Sequence, residues 1–336
     1  MYRTSIIIPA YNSEETIEPC LEKIINESKK FESEIIVVDD NSNDRTVEII
    51  NKFKSIKLIK LSKNEGAGNA RNTGAKIAKY ETLCFVDSDI IISKDSIEHL
   101  VKRLHQDENI ASVSGIPEVS NLNVGSWTSN FVCLKSCYGN ENIEKEKEFS
   151  HSACEFCAIS KEFFMRIGGY KALRNAGGEE FYLGYKINQL NKKNIKITEA
   201  SYKGKWYNLY SRFKRIIDRT EKYIPLFLEK KKFDSKGSGA DLTQAFSSLL
   251  TLIIFILILF VFALNKGFLL VGLFITFAIQ IIIEFKFLLF AKKHFGFEML
   301  FFSLFGIQII NMGILFGSAY FFINMIKKLL RRILLP

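Results

Sequence analysis

Asp87 and Asp89 close the apolar run Thr82-Leu83-Cys84-Phe85-Val86, with only Ser88 between them. Two carboxylates two residues apart at a strand end can hold one hard divalent cation, directly or through water, and such a cation can neutralise a diphosphate. Taken alone, the same pair is also a solvated turn, where aspartate is favoured. Asp40 and Asp44, in "VVDDNSNDRT", can accept hydrogen bonds from a nucleotide base or ribose, or can simply build a turn in which Asn43 and Asp44 cap a helix starting near Arg45. "NEGAGNARNTGAKIA" places Gly66, Gly68 and Gly74 where backbone can be approached closely, and Arg71 where it can pair with a phosphate. Tight helix packing explains that spacing equally well. Glu179 and Glu180, in "GGEEFYLGYK", are acids in the first turn of a helix; one of them can abstract a proton, and both are favourable beside a helix N-terminus.

The elements that must position these groups alternate. "SIIIPA", "EIIVVDD", "IKLIKL" and "TLCFVD" are short apolar runs of the kind buried on both faces of a sheet. Ile17, Leu21, Ile24 and Ile25 repeat at helical spacing after Asn12 and Ser13, which are predicted as caps, and a second helix spans Gly68 to Lys79. Strand, helix, strand, helix, strand implies crossover connections and a largely parallel sheet with helices on both faces. Ligands of such sheets bind beyond the carboxyl ends of the strands. Tyr11-Asn12, Asp39-Asp40, Asn64 to Arg71, and Asp87 to Asp89 all fall there. Further on, a helix from Ser93 to His105, a strand at "ASVSGIPEV", a less regular stretch with Trp127, a strand at "HSACEFCAIS" and a strand at "IKITEASY" complete this part.

The chain has 336 residues and a formal net charge of +10, much of it between Lys203 and Lys236. That cluster precedes "AFSSLLTLIIFILILFVFAL", residues 245–264, which carries no charge and is long enough to span a bilayer. Further apolar stretches run over about 267–283 and 299–326, the last interrupted by Gly306, Gly313 and Gly317 and therefore a candidate re-entrant segment, before a basic tail at 327–336. Basic residues beside a span mark the cytosolic side and attract anionic lipid, so the charge points to a membrane surface and not to nucleic acid, for which no motif is present. "NLYSRFKRIIDRTEKYIPLFLEKKKF" is a basic amphipathic helix suited to the interface, and "DSKGSGADL" after it is a flexible linker, together covering 206–241. "MYRTSIIIPAYN" lacks the cleavage pattern of a signal peptide, so residues 1–205 are expected as a cytosolic catalytic domain. Cysteines at 20, 84, 133, 137, 154 and 157 fit a reducing compartment; the pairs 133/137 and 154/157 fit buried core cysteines, the second in the strand "SACEFCAIS", better than metal or redox pairs. The histidines at 99, 105, 151 and 294 show no ligand spacing.

In this order and spacing, "SIIIPAYN", "EIIVVDDNSNDRT", "NEGAGNARNTGA" and "FVDSDI" resemble the family 2 glycosyltransferases. The likeness is close over about residues 4–90 and looser to about 190. It implies the GT-A fold, a mixed, mostly parallel α/β sheet that binds a nucleotide-sugar donor. By this resemblance Pro9 and Tyr11 line the base pocket, Asp40 holds the base or ribose, Arg71 lies near the nucleotide, and Asp87 and Asp89 form the family's D-x-D, with Asp89 the direct ligand of Mg or Mn. The double glycine after "CAISKEFFMRI" resembles the floor of the acceptor site. Where relatives carry Glu-Asp, this chain has Glu179-Glu180, which implies Glu180 as general base with Glu179 as the competing assignment. Where many relatives place a histidine or an arginine-tryptophan pair for the diphosphate or metal, this chain has Lys203, Lys205 and Trp206.

The resemblance and the apolar C-terminus together imply an inverting transfer to a lipid-linked or polyprenyl-phosphate acceptor at the cytoplasmic face of a membrane. A phosphate acceptor would need Glu180 less than a hydroxyl would. The competing reading is a membrane-bound sugar-nucleotide-binding or scaffolding protein without catalysis. Sugar nucleotidyltransferases share the broad fold, but their glycine-rich basic loop after the first strand is replaced here by "PAYNSEET".

Overall fold

The computed structural model describes residues 2–121, 126–150, 154–173, 178–230, 241–264 and 266–334. The chain forms two compact units: Met1–Leu122 with Asn140–Lys205, and Asn123–Gly139 with Trp206–Pro336.

The first unit holds β1 (Thr4–Ala10), α1 (Ile17–Ser28), β2 (Ser33–Asp39), α2 (Thr46–Ile50), β3 (Ile56–Lys60), α3 (Ala67–Ile77), β4 (Thr82–Val86), β5 (Ile90–Ile92), α4 (Ser96–Leu104) and β6 (Ile110–Asn121). After α5 (Trp127–Tyr138), which belongs to the second unit, it resumes with β7 (Glu146–Phe149), β8 (Phe156–Ser160), α6 (Lys161–Arg166), α7 (Glu179–Gln189) and β9 (Lys193–Gly204). One sheet runs β3-β2-β1-β4-β8-β6-β9-β5, with β7 added on β9. Strands β1, β2, β3, β4, β6 and β9 point one way and β5, β7 and β8 the other, which gives a mixed, mostly parallel sheet.

The Ile-rich first strand is buried along its whole length because its side chains feed two cores. Ile6 and Ile8 join Ile17, Leu21 and Ile24 of α1 and Ile97, Leu100 and Val101 of α4 on one face. Ile7 joins Ala70 and Ala75 of α3, Phe164 of α6 and Leu183 and Ile187 of α7 on the other. Side chains alternate across a strand, so a run without polar residues is what helices on both faces require. Gly74 lets α3 lie on the sheet: a Cβ there would stand 2.4 Å from Ile7 Cγ2.

Two local expectations change. Asn12 and Ser13 do not cap α1; the helix starts at Ile17 after Thr16, and Asn12 takes φ 47 in a turn ahead of it. The stretch around Trp127 is not irregular but the helix α5, capped by Ser126, whose Oγ accepts from Ser129 N–H.

The second unit contains α5, α8 (Leu209–Lys230), α9 (Leu242–Leu264) and α10 (Phe268–Leu334), whose helical backbone breaks at Gly296 (φ 84, ψ −178). Two of these, Leu242–Leu264 and Phe268–Lys328, are long and apolar enough to cross a membrane. Gly306, Gly313 and Gly317 do not interrupt α10. They are contact points: a Cβ at Gly306 would lie 2.7 Å from the Phe131 ring of α5, and one at Gly317 would lie 2.7 Å from Ile217 O of α8. Helices α9 and α10 are joined by a polar network inside the apolar bundle. Asn311 Nδ2 donates to Ser247 Oγ at 3.0 Å and Thr251 Oγ1 at 2.9 Å, Gln280 Nε2 to Thr251 Oγ1 at 2.9 Å, and Gln308 Nε2 to Gln280 Oε1 at 2.8 Å. The linker expected over Asp234–Leu242 falls mostly on residues 231–240, outside the described residues.

Candidate active site

The site is built from loops at the carboxyl ends of β1, β2 and β4, closed by α3 and α7. Pro9 is buried in β1 opposite Val38, and Tyr11 follows on the surface, 46% exposed. Asp40 receives the chain from β2. Its two oxygens accept from the backbone N–H groups of Glu65 and Gly66, both at 2.8 Å. Burial raises its pKa and those two bonds oppose the rise. Asp40 therefore fixes the turn, with Gly66 at φ 92, from which α3 springs. Asp44 accepts from Thr46 N–H at 3.0 Å and Glu14 N–H at 3.1 Å, so it braces the first residue of α2, whose N-cap is Arg45, and ties that loop to the one after β1.

Asp87 and Asp89 leave β4 half-buried. Three bonds fix the turn between them: Asp87 N–H to Glu155 O at 2.8 Å, Ser88 Oγ to Ser13 Oγ at 2.9 Å, and Lys205 N–H to Asp89 O at 3.0 Å. Arg71, 2% exposed, reaches across from α3. Its Nη2 donates to Asp87 Oδ1 at 2.5 Å and its Nη1 to Glu179 Oε1 at 3.3 Å, while the guanidinium lies 5.4 Å from the Tyr170 ring centroid. Its Nε has no hydrogen-bond partner among the described residues. Burial raises the Asp87 pKa to about 7; Arg71 opposes the rise and the carboxylates of Asp89 and Glu155 add to it.

Glu179 and Glu180 open α7, each 5% exposed, and are held differently. Glu179 pairs with Arg71, whereas Glu180 Oε2 accepts from Gly178 N–H at 2.8 Å. The glycines and Asn72 of the α3 segment serve this packing. A Cβ on Gly68 would stand 3.1 Å from Lys171 O, and Asn72 exchanges two bonds with the Tyr170 backbone, at 2.8 and 2.9 Å. The turn it grips has Gly168 at φ 81 and Gly169 at φ 62. The glycines of "NEGAGNARN" thus serve close packing, and Arg71 is directed at two acids.

Cys154 Sγ lies with carboxylate oxygens of Glu179 and Glu180 in a group whose members are within 4.8 Å of one another. Cys157 is buried against Tyr170 Oη at 3.8 Å, and both cysteines are free thiols. The other pair, Cys133 and Cys137, is buried in α5 with sulfurs 4.0 Å apart. Lys203 Nζ stands 4.0 Å from Glu118 Oε2 and Lys205 pairs with Glu15, while Trp206 begins the second unit. Sequence reasoning missed Glu155, Cys154 and Ser13. Glu155 is opposite the strand end that carries Asp87, a neighbour that only the antiparallel β4–β8 register reveals.

A cation at the D-x-D is implied by these groups. Asp87 and Asp89 are hard oxygen donors of the type Mg and Mn prefer, and they lie beside Glu155 with Arg71 the buried cation bonded to Asp87, so the residues fit such an ion.

Residues 5–168 match the Glycosyl transferase family 2 profile. The chain carries a family 2 glycosyltransferase domain. Within its reach the chain is 32% identical over 120 residues to a poly-beta-1,6-N-acetyl-D-glucosamine synthase of Staphylococcus epidermidis, covering 35% of this chain and 29% of that one. It is 41% identical over 101 residues to a poly(ribitol-phosphate) beta-glucosyltransferase of Bacillus spizizenii, covering 28% and 16%. The chain thus spans less than a third of the length of these curated relatives. Among solved structures, a mannosyltransferase from Pyrobaculum calidifontis in complex with GDP-Man and Mn2+ superposes with TM-score 0.56 at 16% identity, covering 96% of this chain and 88% of that one. GalNAc-T7 with UDP, GalNAc and Mn2+ superposes at 0.52 and 18% identity, covering 67% of this chain and 48% of that one. The family 2 domain therefore has the GT-A fold expected from its motifs.

Proposed function

We propose that this chain is an inverting glycosyltransferase that moves a sugar from a nucleoside-diphosphate sugar to a lipid-linked or polyprenyl-phosphate acceptor at the cytoplasmic face of a membrane, held there by more than one membrane pass. The observation that carries this reading is Arg71 joining Asp87 to Glu179, because it ties the donor-side acid to the helix that bears the two candidate bases. With Glu179 committed to Arg71, abstraction of the acceptor proton falls to Glu180. One displacement at the anomeric carbon inverts it.

Asp89, with Asp87, would hold Mg or Mn, which when bound neutralises the charge of the departing diphosphate. Pro9 and Tyr11 are assigned to the base. Asp40 acts on that pocket through the loop it holds, and Arg71 acts on the nucleotide through Asp87. Lys203 and Lys205, with Trp206, are the candidates for positive charge and stacking near the diphosphate. Donors named in the similar structures, UDP and GDP-Man with Mn2+, support a nucleotide sugar without choosing the base. The apolar helices and the basic α8 support a lipid acceptor.

The test is turnover of the full chain with UDP- and GDP-sugars and Mn2+. Asp89→Ala should lose at least about 100-fold; near wild-type turnover of the wild type in EDTA overturns the metal role. Glu180→Gln should lose about 100-fold or more with a hydroxyl acceptor and far less with a phosphate acceptor. Donor binding without transfer or hydrolysis would instead identify a binding or scaffolding protein.

A further inference from the structure

The loops after β1 and β2 are stitched together, and one residue of the first loop also holds the turn between Asp87 and Asp89. Asn12 N–H donates to Ser42 Oγ at 3.0 Å, and Asn12 Oδ1 accepts from Asn43 N–H at 2.9 Å. Ser13 N–H then donates to Thr46 Oγ1 at 2.7 Å, and Thr46 Oγ1 donates to Asp44 Oδ1 at 2.5 Å. Thr46 is fully buried, and Ser13 and Ser88 are each 8% exposed. The Ser13 hydroxyl donates its one proton to Tyr11 O at 3.3 Å, which leaves its oxygen to accept from Ser88 Oγ at 2.9 Å. Behind the same turn the Cys20 thiol, buried in α1, donates to Asp87 O at 3.5 Å. All of these residues lie in the first unit. A buried hydroxyl pair gives up water on both sides, so its net gain in stability is small and what it supplies is direction. Ser13 thus has its amide fixed by the loop after β2 and its hydroxyl on the middle residue of the D-x-D.

We infer that Ser13, oriented by Thr46, is a positioning residue for the cation site: it fixes the turn between Asp87 and Asp89 relative to the loop that carries Tyr11. The inference rests on the reading of the D-x-D as the cation site and of Tyr11 as a contact of the nucleotide base. The two halves of the donor site then share one brace. A change at Thr46, whose hydroxyl bonds run to Ser13 and Asp44, reaches the cation through Ser13 and Ser88.

The test follows Mn2+ binding to the full chain in nanodiscs by electron paramagnetic resonance, for Ser13→Ala, Ser88→Ala, the two together, and Thr46→Val. The control is Ser112→Ala, which removes a buried bond to Asn194 Oδ1 of 2.6 Å near the start of β6. Ser13→Ala and Ser88→Ala should each need about 3- to 10-fold more Mn2+ for half-saturation. The double variant should need no more than the worse single, because both remove one bond. Thr46→Val should shift binding in the same direction, whereas Ser112→Ala should lower the melting temperature and leave half-saturation in place. A Ser13→Ala half-saturation equal to that of Ser112→Ala overturns the inference, as do single shifts that multiply in the double. If the wild type binds no Mn2+, the cation-site reading fails, and hydrogen–deuterium exchange of the metal-free chain decides the brace by itself. Peptides covering 86–90 should then exchange faster in Ser13→Ala than in Ser112→Ala, and equal rates mean that Ser13 does not hold the turn.

Discussion

Replacing Arg71 by methionine keeps the length of the side chain and removes its charge. In the native site the guanidinium is 2% exposed and bonded to Asp87 at 2.5 Å and Glu179 at 3.3 Å. Without it, at a pH above the Asp87 value of about 7, where the assay is run, two carboxylates face each other across a space from which water is largely excluded. Removing one partner of a buried pair costs about 3–5 kcal/mol, chiefly because the other charge stays buried. Asp87 keeps 22% of its side-chain surface exposed, which favours the lower end, about 3 kcal/mol. For a domain of this size that is a fall of about 6–12 °C in melting temperature. The assay is thermal unfolding of the full chain in detergent with EDTA, for Arg71→Met, Glu179→Gln and both together. Glu179→Gln keeps the Arg71–Asp87 pair and should cost about 1 kcal/mol. The double variant should be less destabilised than the sum, since one of the orphaned charges is gone. A melting temperature for Arg71→Met within about 2 °C of wild type, or strictly additive losses, would refute the bridge.

Three further outcomes follow from the same geometry. Burial raises the Asp87 pKa from its ordinary 3.8 to about 7 against the opposing pull of Arg71, so the folded chain binds the proton more tightly than the unfolded chain. Metal-free stability should therefore fall as pH rises through that window, by at most about 1.4 kcal/mol per pH unit, and Asp87→Asn should flatten the slope in denaturant titrations. Gly169→Ala forces a Cβ to 2.5 Å from Asn72 Oδ1 at φ +62, so chemical unfolding should show a loss of about 1–3 kcal/mol. Asn311→Leu removes the donor to Ser247 and Thr251 and the acceptor of Gln244 Nε2 inside the apolar bundle, and should lower resistance to SDS unfolding by about 1–2 kcal/mol, while an exposed control such as Phe262→Leu leaves it unchanged.

What was legible in the sequence followed from periodicity. Uninterrupted Ile and Val runs name strands buried on both faces, and polar clusters directly after them name the ligand end of the sheet. The contacts that join those clusters were not legible, because they depend on register between segments distant in the chain. Arg71 and Glu179 are separated by 108 positions, and Glu155 reaches Asp87 only through the antiparallel β4–β8 pairing. The glycines of α10 misled for a related reason. Small residues in an apolar helix read as breaks until the helices that press on them are known, and at Gly306 and Gly313 those helices come from segments far up the chain. Helix α5 was missed because its apolar residues surround it on all sides, with Phe131, Cys133, Leu134 and Cys137 all buried, so no amphipathic stripe marks it.

The Glu179-Glu180 pair shows how an ambiguity of spacing becomes a difference of environment. Adjacent positions at a helix start point in directions about 100° apart, so two identical acids there cannot share one set of neighbours. One is turned to the guanidinium of α3, and the other folds back on the amide that precedes the helix. An aspartate at position 180 would have a shorter reach. The added methylene gives this carboxylate the length to bond Gly178 N–H while remaining on the side of α7 where Cys154 stands. The departure from the usual Glu-Asp therefore does not by itself argue against a base at 180, because the turn that receives the longer side chain, with Gly178 at φ 107, is built to match it.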